Sequence, residues 1–510
     1  MARFRSFGPS RDGAASRCLF TIQSGGTIMS KQISKIDRAF NSPKTANDPD
    51  CRLERPRGKR RGVGLLSIAL LAAASHASPA YASENEAVGV WNQRAIVALT
   101  NGPAAATPGV QFTPPVAFIH LAIVQGAVYD AVNAIKGGHD PYLAGLHAPT
   151  SASKGAAAAT AAHHALISLV NQAPVTATLT ADIKAAIAAR LDAEYASSLA
   201  EIPAGDAKAS GIKVGAAAAA AMLAKRAGDG RFGPPGFPVP ASPGPGEWRP
   251  NPVNDPNAWV RNVRPFTLPS SDYFRTSGPS ALTSAQYGAE FNEVKAYGRA
   301  TGSSRTDAQT SLAYWSAAHP VPMLYGALRQ VAAEKGLTIT EQARFYAMTS
   351  MTGADSLINC WGEKGYWSFW RPTSAIQLAD TDGNAATDVD AAWTSLLPLP
   401  PYPDEPSGAN CAYGGVMYSA RAFFGSDAAE FDIVSTGIGP VNGVPTGSTR
   451  HYSHFSDVVT DMIEARILGG LHFRRADVNA AMLGRSVANY VDTHFFNCGP
   501  AGQCKQEERE

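Results

Sequence analysis

The chain has 510 residues, 45% of them hydrophobic and 17% charged, so it can bury at least one large core. Length alone suggests about three domains, a count that extended helical bundles would lower. The formal charge of +2 divides unevenly: residues 1–82 carry 14 Lys/Arg against 5 Asp/Glu, leaving 30 basic against 37 acidic in the rest, a net of −7. A mildly acidic body gives no reason to expect a nucleic-acid partner.

The basic beginning reads as a targeting segment. Arg55-Pro56-Arg57-Gly58-Lys59-Arg60-Arg61 precedes an apolar run from Val63 to Ala74, and Ala80-Tyr81-Ala82 comes next. Charge, then an apolar stretch, then small residues is the order of a signal peptide, and cleavage is expected after Ala82. The apolar run is too short for a permanent membrane span, and no later stretch is expected to replace it. The mature protein is expected to be exported, periplasmic or secreted, without a stable membrane anchor. Removal of the segment takes Cys18 and Cys51 and leaves Cys360, Cys411, Cys498 and Cys504. Four cysteines in an oxidising compartment permit two bridges, Cys498 with Cys504 and Cys360 with Cys411; buried free thiols are the alternative.

Helix signals dominate the remainder of the chain. Ala-rich segments at 153–172, 178–196 and 206–227 have high helix propensity, and the last ends at Gly228-Asp229-Gly230. His163 and His164, adjacent on the first, point about 100° apart and cannot share a metal face. Residues 231–280 change character: Pro234-Pro235-Gly236, Pro243-Gly244-Pro245-Gly246 and the aromatics Trp248, Trp259 and Phe266 suggest an ordered wrapping loop. Helices are expected again at 283–300, 305–318, 321–335 and 339–362, the last opened by a Thr338/Glu341 capping box with Phe345, Met348, Leu357 and Trp361 on its apolar face. The predicted division is 1–82, 83–230, 231–280 and 281–510.

The last third carries three motifs. Lys364 is expected at a helix end, and Arg371 immediately before a new helix with Pro372 in its first turn. Pro406-Ser407-Gly408 precedes a helical run from Ala409 through Phe424, where free N–H groups and the helix dipole favour an anion. Arg466 and His472 would point roughly 240° apart on one helix, but Gly469-Gly470 permits a break that turns both inward. Three cations, a helix-start hydroxyl and backbone amides make a cradle for a tetrahedral oxyanion, phosphate or vanadate. One imidazole is left to attack or ligate its central atom.

These motifs resemble those of the vanadium-dependent haloperoxidases and type 2 phosphatidic acid phosphatases. Lys364 to Pro372 fits the first motif, Pro406-Ser407-Gly408 all but the end of the second, and Arg466 to His472 the third. The stretches Trp91 to Ile135, Glu247 to Pro250, Asn292 to Thr310 and Trp361 to Gly383 look like the large bacterial haloperoxidase branch. The resemblance implies an all-α fold of paired helical bundles, with the oxyanion site in the C-terminal bundle. It implies oxyanion binding by Lys364, Arg371, Ser407, Gly408 and Arg466, and His472 as axial vanadium ligand or phosphatase nucleophile. Vanadate would be the cofactor, with phosphate able to occupy the same site; hydrogen peroxide and halide would be substrates, and a homo-oligomer is possible.

The sequence departs from the family pattern in places. The second motif normally ends in a histidine, where this chain has Ala409 followed by Asn410; Ala465 replaces a serine; and a family aspartate would fall at Ala476, one place before Asp477. The missing histidine is the acid/base group, typically worth about 10²- to 10⁴-fold in rate. Its loss tilts the reading from phosphatase toward vanadate-dependent oxidation, with a non-catalytic anion site as a third reading. His451 and His454 are the candidates to substitute for it, or are solvated loop residues. Asp380-Thr381-Asp382-Gly383-Asn384 with Asp388 lacks the glycine position and closing glutamate of a Ca²⁺ loop and reads as an acidic turn.

Overall fold

The computed structural model describes residues 84–435 and 448–499. The targeting segment at 1–82 and Cys504 lie outside them. The first helices are α1 (Ala87–Thr100), α2 (Pro114–Lys136), α3 (Lys154–Gln172), α4 (Ala181–Ala200) and α5 (Asp206–Lys225). The second set comprises α6 (Ala285–Tyr297), α7 (Asp307–Trp315), α8 (Pro320–Glu334), α9 (Ile339–Trp367), α10 (Pro372–Gln377), α11 (Gly408–Phe424), α12 (Phe455–Leu468) and α13 (Arg474–His494). The all-α expectation holds, with one addition: β1 (Ala428–Val434) pairs antiparallel with β2 (Thr449–His454). Its signal was Ala429, Phe431 and Ile433, alternate apolar residues that all turn inward, in a run too short to stand out beside long helices.

Helix α2 corrects one expectation. It is long and apolar enough to cross a membrane, yet its apolar stretch is wholly buried inside the protein. It packs against α1, α3, α5 and α9, and this core position accounts for its composition. Helices α3 and α5 approach closely because α5 presents Gly211 and Gly215: a Cβ on either would collide with the backbone of α3 or the residue before it. The same device joins α11 to α13, where a Cβ on Gly484 would meet the backbone of Cys411, Gly414 and Gly415.

Helix α9 links the two sets, packing on α2 and also on α11 and α13. Its Thr338/Glu341 capping box forms as expected, and Phe345, Met348, Leu357 and Trp361 are buried. The helix runs on to Trp367, so Lys364 sits in its last turn, and Ser368 ends it in a left-handed conformation at φ 42°.

A polar stripe on α9 also orders the Pro/Gly-rich segment. Asp355 accepts hydrogen bonds from the amides of Phe266, Thr267 and Leu268 and from the Thr267 hydroxyl. One turn on, Asn359 both accepts from the Phe274 amide and donates to its carbonyl. A further turn on, Glu363 accepts from the Thr276 amide and pairs with Arg275 at 2.6 Å. Spacing by four residues puts all three on one helix face, and they satisfy backbone groups that proline and glycine keep out of regular structure. Asp355→Ala strands three buried amides and is expected to destabilise the protein by about 3 kcal/mol or more, measurable by chemical denaturation.

Candidate functional site

The three sequence motifs meet where α9, α10, α11 and α12 converge. The Lys364 side chain is buried, with Nζ donating to the carbonyls of Pro403 at 2.7 Å, Asp404 at 3.3 Å and Pro406 at 2.5 Å. Burial, reinforced by the charge of Arg371, lowers its pKa to about 8. All three contacts go to the 403–406 segment, so Lys364 holds the loop before the second motif in place while bringing its charge to the site.

Arg371 is the N-cap of α10, extended at φ −86° and ψ 159°, with Pro372 in the first turn as expected. Its Nε donates to the Tyr402 carbonyl and its Nη1 to the Leu471 carbonyl, both at 2.7 Å. Nη1 also lies 3.4 Å from His472 Nε2, while Nη2 has no hydrogen-bond partner among the described residues. Arg466 occupies the last turn of α12 and is buried, with Nε likewise unmatched. Beyond it the chain turns at Gly469-Gly470, the second at φ 75°, and the Leu471 amide returns to the Arg466 carbonyl at 3.0 Å. That left-handed step costs glycine little and brings His472 inward.

His472 is fully buried. Its Nδ1 is 2.8 Å from Asp404 Oδ1, out of line for a hydrogen bond. Burial first, then the charges of Arg371, Lys364 and Arg466, hold its pKa far below the ordinary imidazole value. The ring is therefore neutral near pH 7, the form that offers a lone pair to an electrophile or a metal.

Ser407 is the N-cap of α11, but its side chain does not cap the helix. Its amide donates to the Ala476 carbonyl at 3.0 Å, and its hydroxyl is 3.5 Å from Asn410 Nδ2. Gly408 opens the helix beneath Trp361 and Tyr402.

Several site groups were not singled out from the sequence. Asp404 and Glu405 directly precede the second motif and are buried, and Tyr402 stacks its ring near both Lys364 and Arg371. Burial raises Asp404 well above the ordinary carboxyl range, Glu405 to about 7 and Asp477 to about 8. Asp477, one place late for the family pattern, accepts from Asn410 Nδ2 at 2.8 Å and lies within the electrostatic reach of Arg466. The legible signal was two acids and a tyrosine between prolines, immediately before Ser407.

The candidates to replace the missing histidine are elsewhere. His451 is exposed on β2, pairing with Glu430 and Asp432 of β1, and His454 is exposed beside Asp457. Cys360 and Cys411 are buried free thiols on α9 and α11, and Cys498 is an exposed free thiol. Among the described residues no cluster of His, Cys, Asp and Glu has the makings of a metal site, and Asp382 instead closes an acidic turn with Asn384 and Thr387. His163 pairs with Asp192 and stacks on Tyr195, a packing role.

A tetrahedral oxyanion fits this arrangement on its donor chemistry. Arg371 Nη2 and Arg466 Nε are buried donors lacking acceptors among the described residues, each costing roughly 1–3 kcal/mol if left unmet. With the neighbouring carboxyls biased toward their neutral forms, the clustered cations call for an anion. Beside them lies a cavity of about 150 Å³ lined by residues including Pro114, Leu357, Trp361, Tyr402, Ala409, Tyr413 and Arg466.

Residues 344–498 match the family profile for the VCPO second helical-bundle domain. The fold is similar to that of a bacterial vanadium-dependent iodoperoxidase, with a TM-score of 0.61 at 20% identity over 81% of this chain and 98% of that one. Bacterial vanadium-dependent chloroperoxidases give similar results. The holo-type structure has a TM-score of 0.60 at 16% identity over 82% and 96% of the two chains; the apo-type structure has 0.58 at 17% over 75% and 94%. A search of curated protein sequences found no match. The profile match is confined to the C-terminal part of the chain, and the solved structures share its helical fold.

Glu405 provides a pH test of the buried carboxyls. Its folded pKa of about 7 exceeds the ordinary 4.5, so between those values the folded state holds a proton that the unfolded chain has released. Its contribution should therefore lower stability as pH rises through this window, by roughly 3 kcal/mol in total. Glu405→Gln should flatten the fall, as read from denaturation midpoints at pH 4.5 to 8.

Proposed function

We propose that this protein is a vanadate-dependent peroxidase that uses hydrogen peroxide to oxidise halide. The observation that carries the reading is the gathering of Arg371 and Arg466, each with an unmatched buried N–H, around a neutral His472. Vanadate, when bound, would supply Lewis acidity that activates peroxide toward a halide. His472 Nε2 would ligate it, and Arg371 and Arg466 would donate to its oxygens. The start of α11, at Ser407 and Gly408, would add its dipole. Lys364 would stabilise the negative charge from within the 403–406 loop. Trp361, Leu357 and Pro114, which line the adjoining cavity, would limit water there.

The alternative is a phosphomonoesterase using His472 as nucleophile. Its neutral imidazole suits that role, but the leaving oxygen then requires an acid, and Ala409 supplies none while His451 and His454 are at the surface. A non-catalytic phosphate- or vanadate-binding protein is the third reading. The composition of residues 1–82 supports export to the periplasm or medium.

The test is peroxide-dependent bromide oxidation by the purified mature protein, with and without orthovanadate. Vanadate-dependent turnover that His472→Ala abolishes is the expected result; absence of turnover despite measured vanadate binding overturns the proposal. Arg466→Ala should lower kcat by about 10²- to 10³-fold, the scale of losing one preorganised oxyanion donor. Turnover of an activated aryl phosphate lost in His472→Ala would instead favour the esterase.

A further inference from the structure

The family's second motif supplies an imidazole beside the anion, and this chain has Ala409 there. A different polar group borders the same space. Tyr402 lines the cavity together with Gly408, Ala409 and Arg466. Its hydroxyl has no hydrogen-bond partner among the described residues, and it lies 3.8 Å from where a Cβ on Gly408 would sit, at the opening of α11. The ring is held on several sides. Lys364 Nζ is 4.8 Å and the Arg371 guanidinium carbon 5.0 Å from its centre, Trp361 packs against it at 5.0 Å, and its own carbonyl accepts from Arg371 Nε. The ring is therefore fixed on two of the cations that define the site, while its O–H remains available to a ligand. The other tyrosine on the cavity wall, Tyr413, directs its hydroxyl to Met323 Sδ at 3.4 Å.

We propose that the Tyr402 hydroxyl donates a hydrogen bond to an oxygen of the bound oxyanion, partly replacing the imidazole missing at Ala409. This inference rests on the oxyanion-site reading. A phenol is a neutral donor whose position is set here by stacking on cations, so it adds a directed hydrogen to the anion without adding charge. Ala409 leaves room for this by placing no side chain beyond Cβ at the cavity wall.

The test measures binding of inorganic phosphate by titration calorimetry to the full mature chain, so that it does not depend on peroxide chemistry. Tyr402→Phe keeps the stacked ring and removes only the hydroxyl. It should weaken phosphate binding about tenfold or more, the scale of a lost hydrogen bond to a charged group, without changing the thermal midpoint of the unliganded protein. Ala409→His in the Tyr402→Phe background, by returning a donor to the same cavity, should recover at least half of that loss on a logarithmic scale. Wild-type affinity in Tyr402→Phe overturns the proposal while leaving the oxyanion site intact. A weakened Tyr402→Phe that Ala409→His fails to rescue overturns the claim that the hydroxyl stands in for the imidazole. Failure of the wild-type protein to bind phosphate or orthovanadate overturns the site itself, a result distinct from the other two.

Discussion

The architecture of the site results from keeping three cationic side chains away from water. A buried ammonium or guanidinium is tolerated when its hydrogens find acceptors and its charge finds an opposite. Lys364 meets this demand by drawing three carbonyls of the 403–406 segment around its Nζ. Arg371 meets it in part through the carbonyls of Tyr402 and Leu471, pinning together the segments that lead into the second motif and into His472. Arg466 Nε and Arg371 Nη2 remain unmatched among the described residues. The same residues thus organise the loops and leave a defined demand for an anion.

That demand is sharpened by the carboxyls nearby. Asp404, Glu405 and Asp477 are buried among the cations, yet desolvation pushes all three toward their neutral forms. Neutral carboxyls compensate little positive charge, and His472, held neutral by the same surroundings, adds none. The site therefore gathers three basic side chains beside an imidazole held toward its uncharged form.

Precision in this region depends on two structural devices remote from the chemistry. Glycines on α11 and α13 let the helices flanking Ser407 and His472 approach to backbone contact. The Asp355, Asn359 and Glu363 stripe converts the Pro/Gly-rich segment into a fixed covering for α9, the helix that carries Lys364. Without the first device the helices could not approach so closely; without the second the amides of Phe266, Thr267, Leu268, Phe274 and Thr276 would lose their acceptors.

Legible in the amino-acid order alone were the helical character, the capping box at Thr338, the start of α10 at Pro372, the break at Gly469-Gly470 and the identities of the three motifs. Each is written locally, in propensity, in backbone restriction by proline and glycine, or in a cap spaced three residues apart. That order did not reveal that α2 is a core helix, because an apolar helix reads alike whether protein or lipid surrounds it. The β ribbon, the surface position of His451 and His454, the free state of Cys360 and Cys411, and the commitment of Lys364 to three carbonyls emerged only on folding. So did the approach of Asp404 to His472, residues separated by the whole of α11, the ribbon and α12. Such outcomes depend on which distant groups arrive at one place and on how little water accompanies them, and no local pattern encodes either.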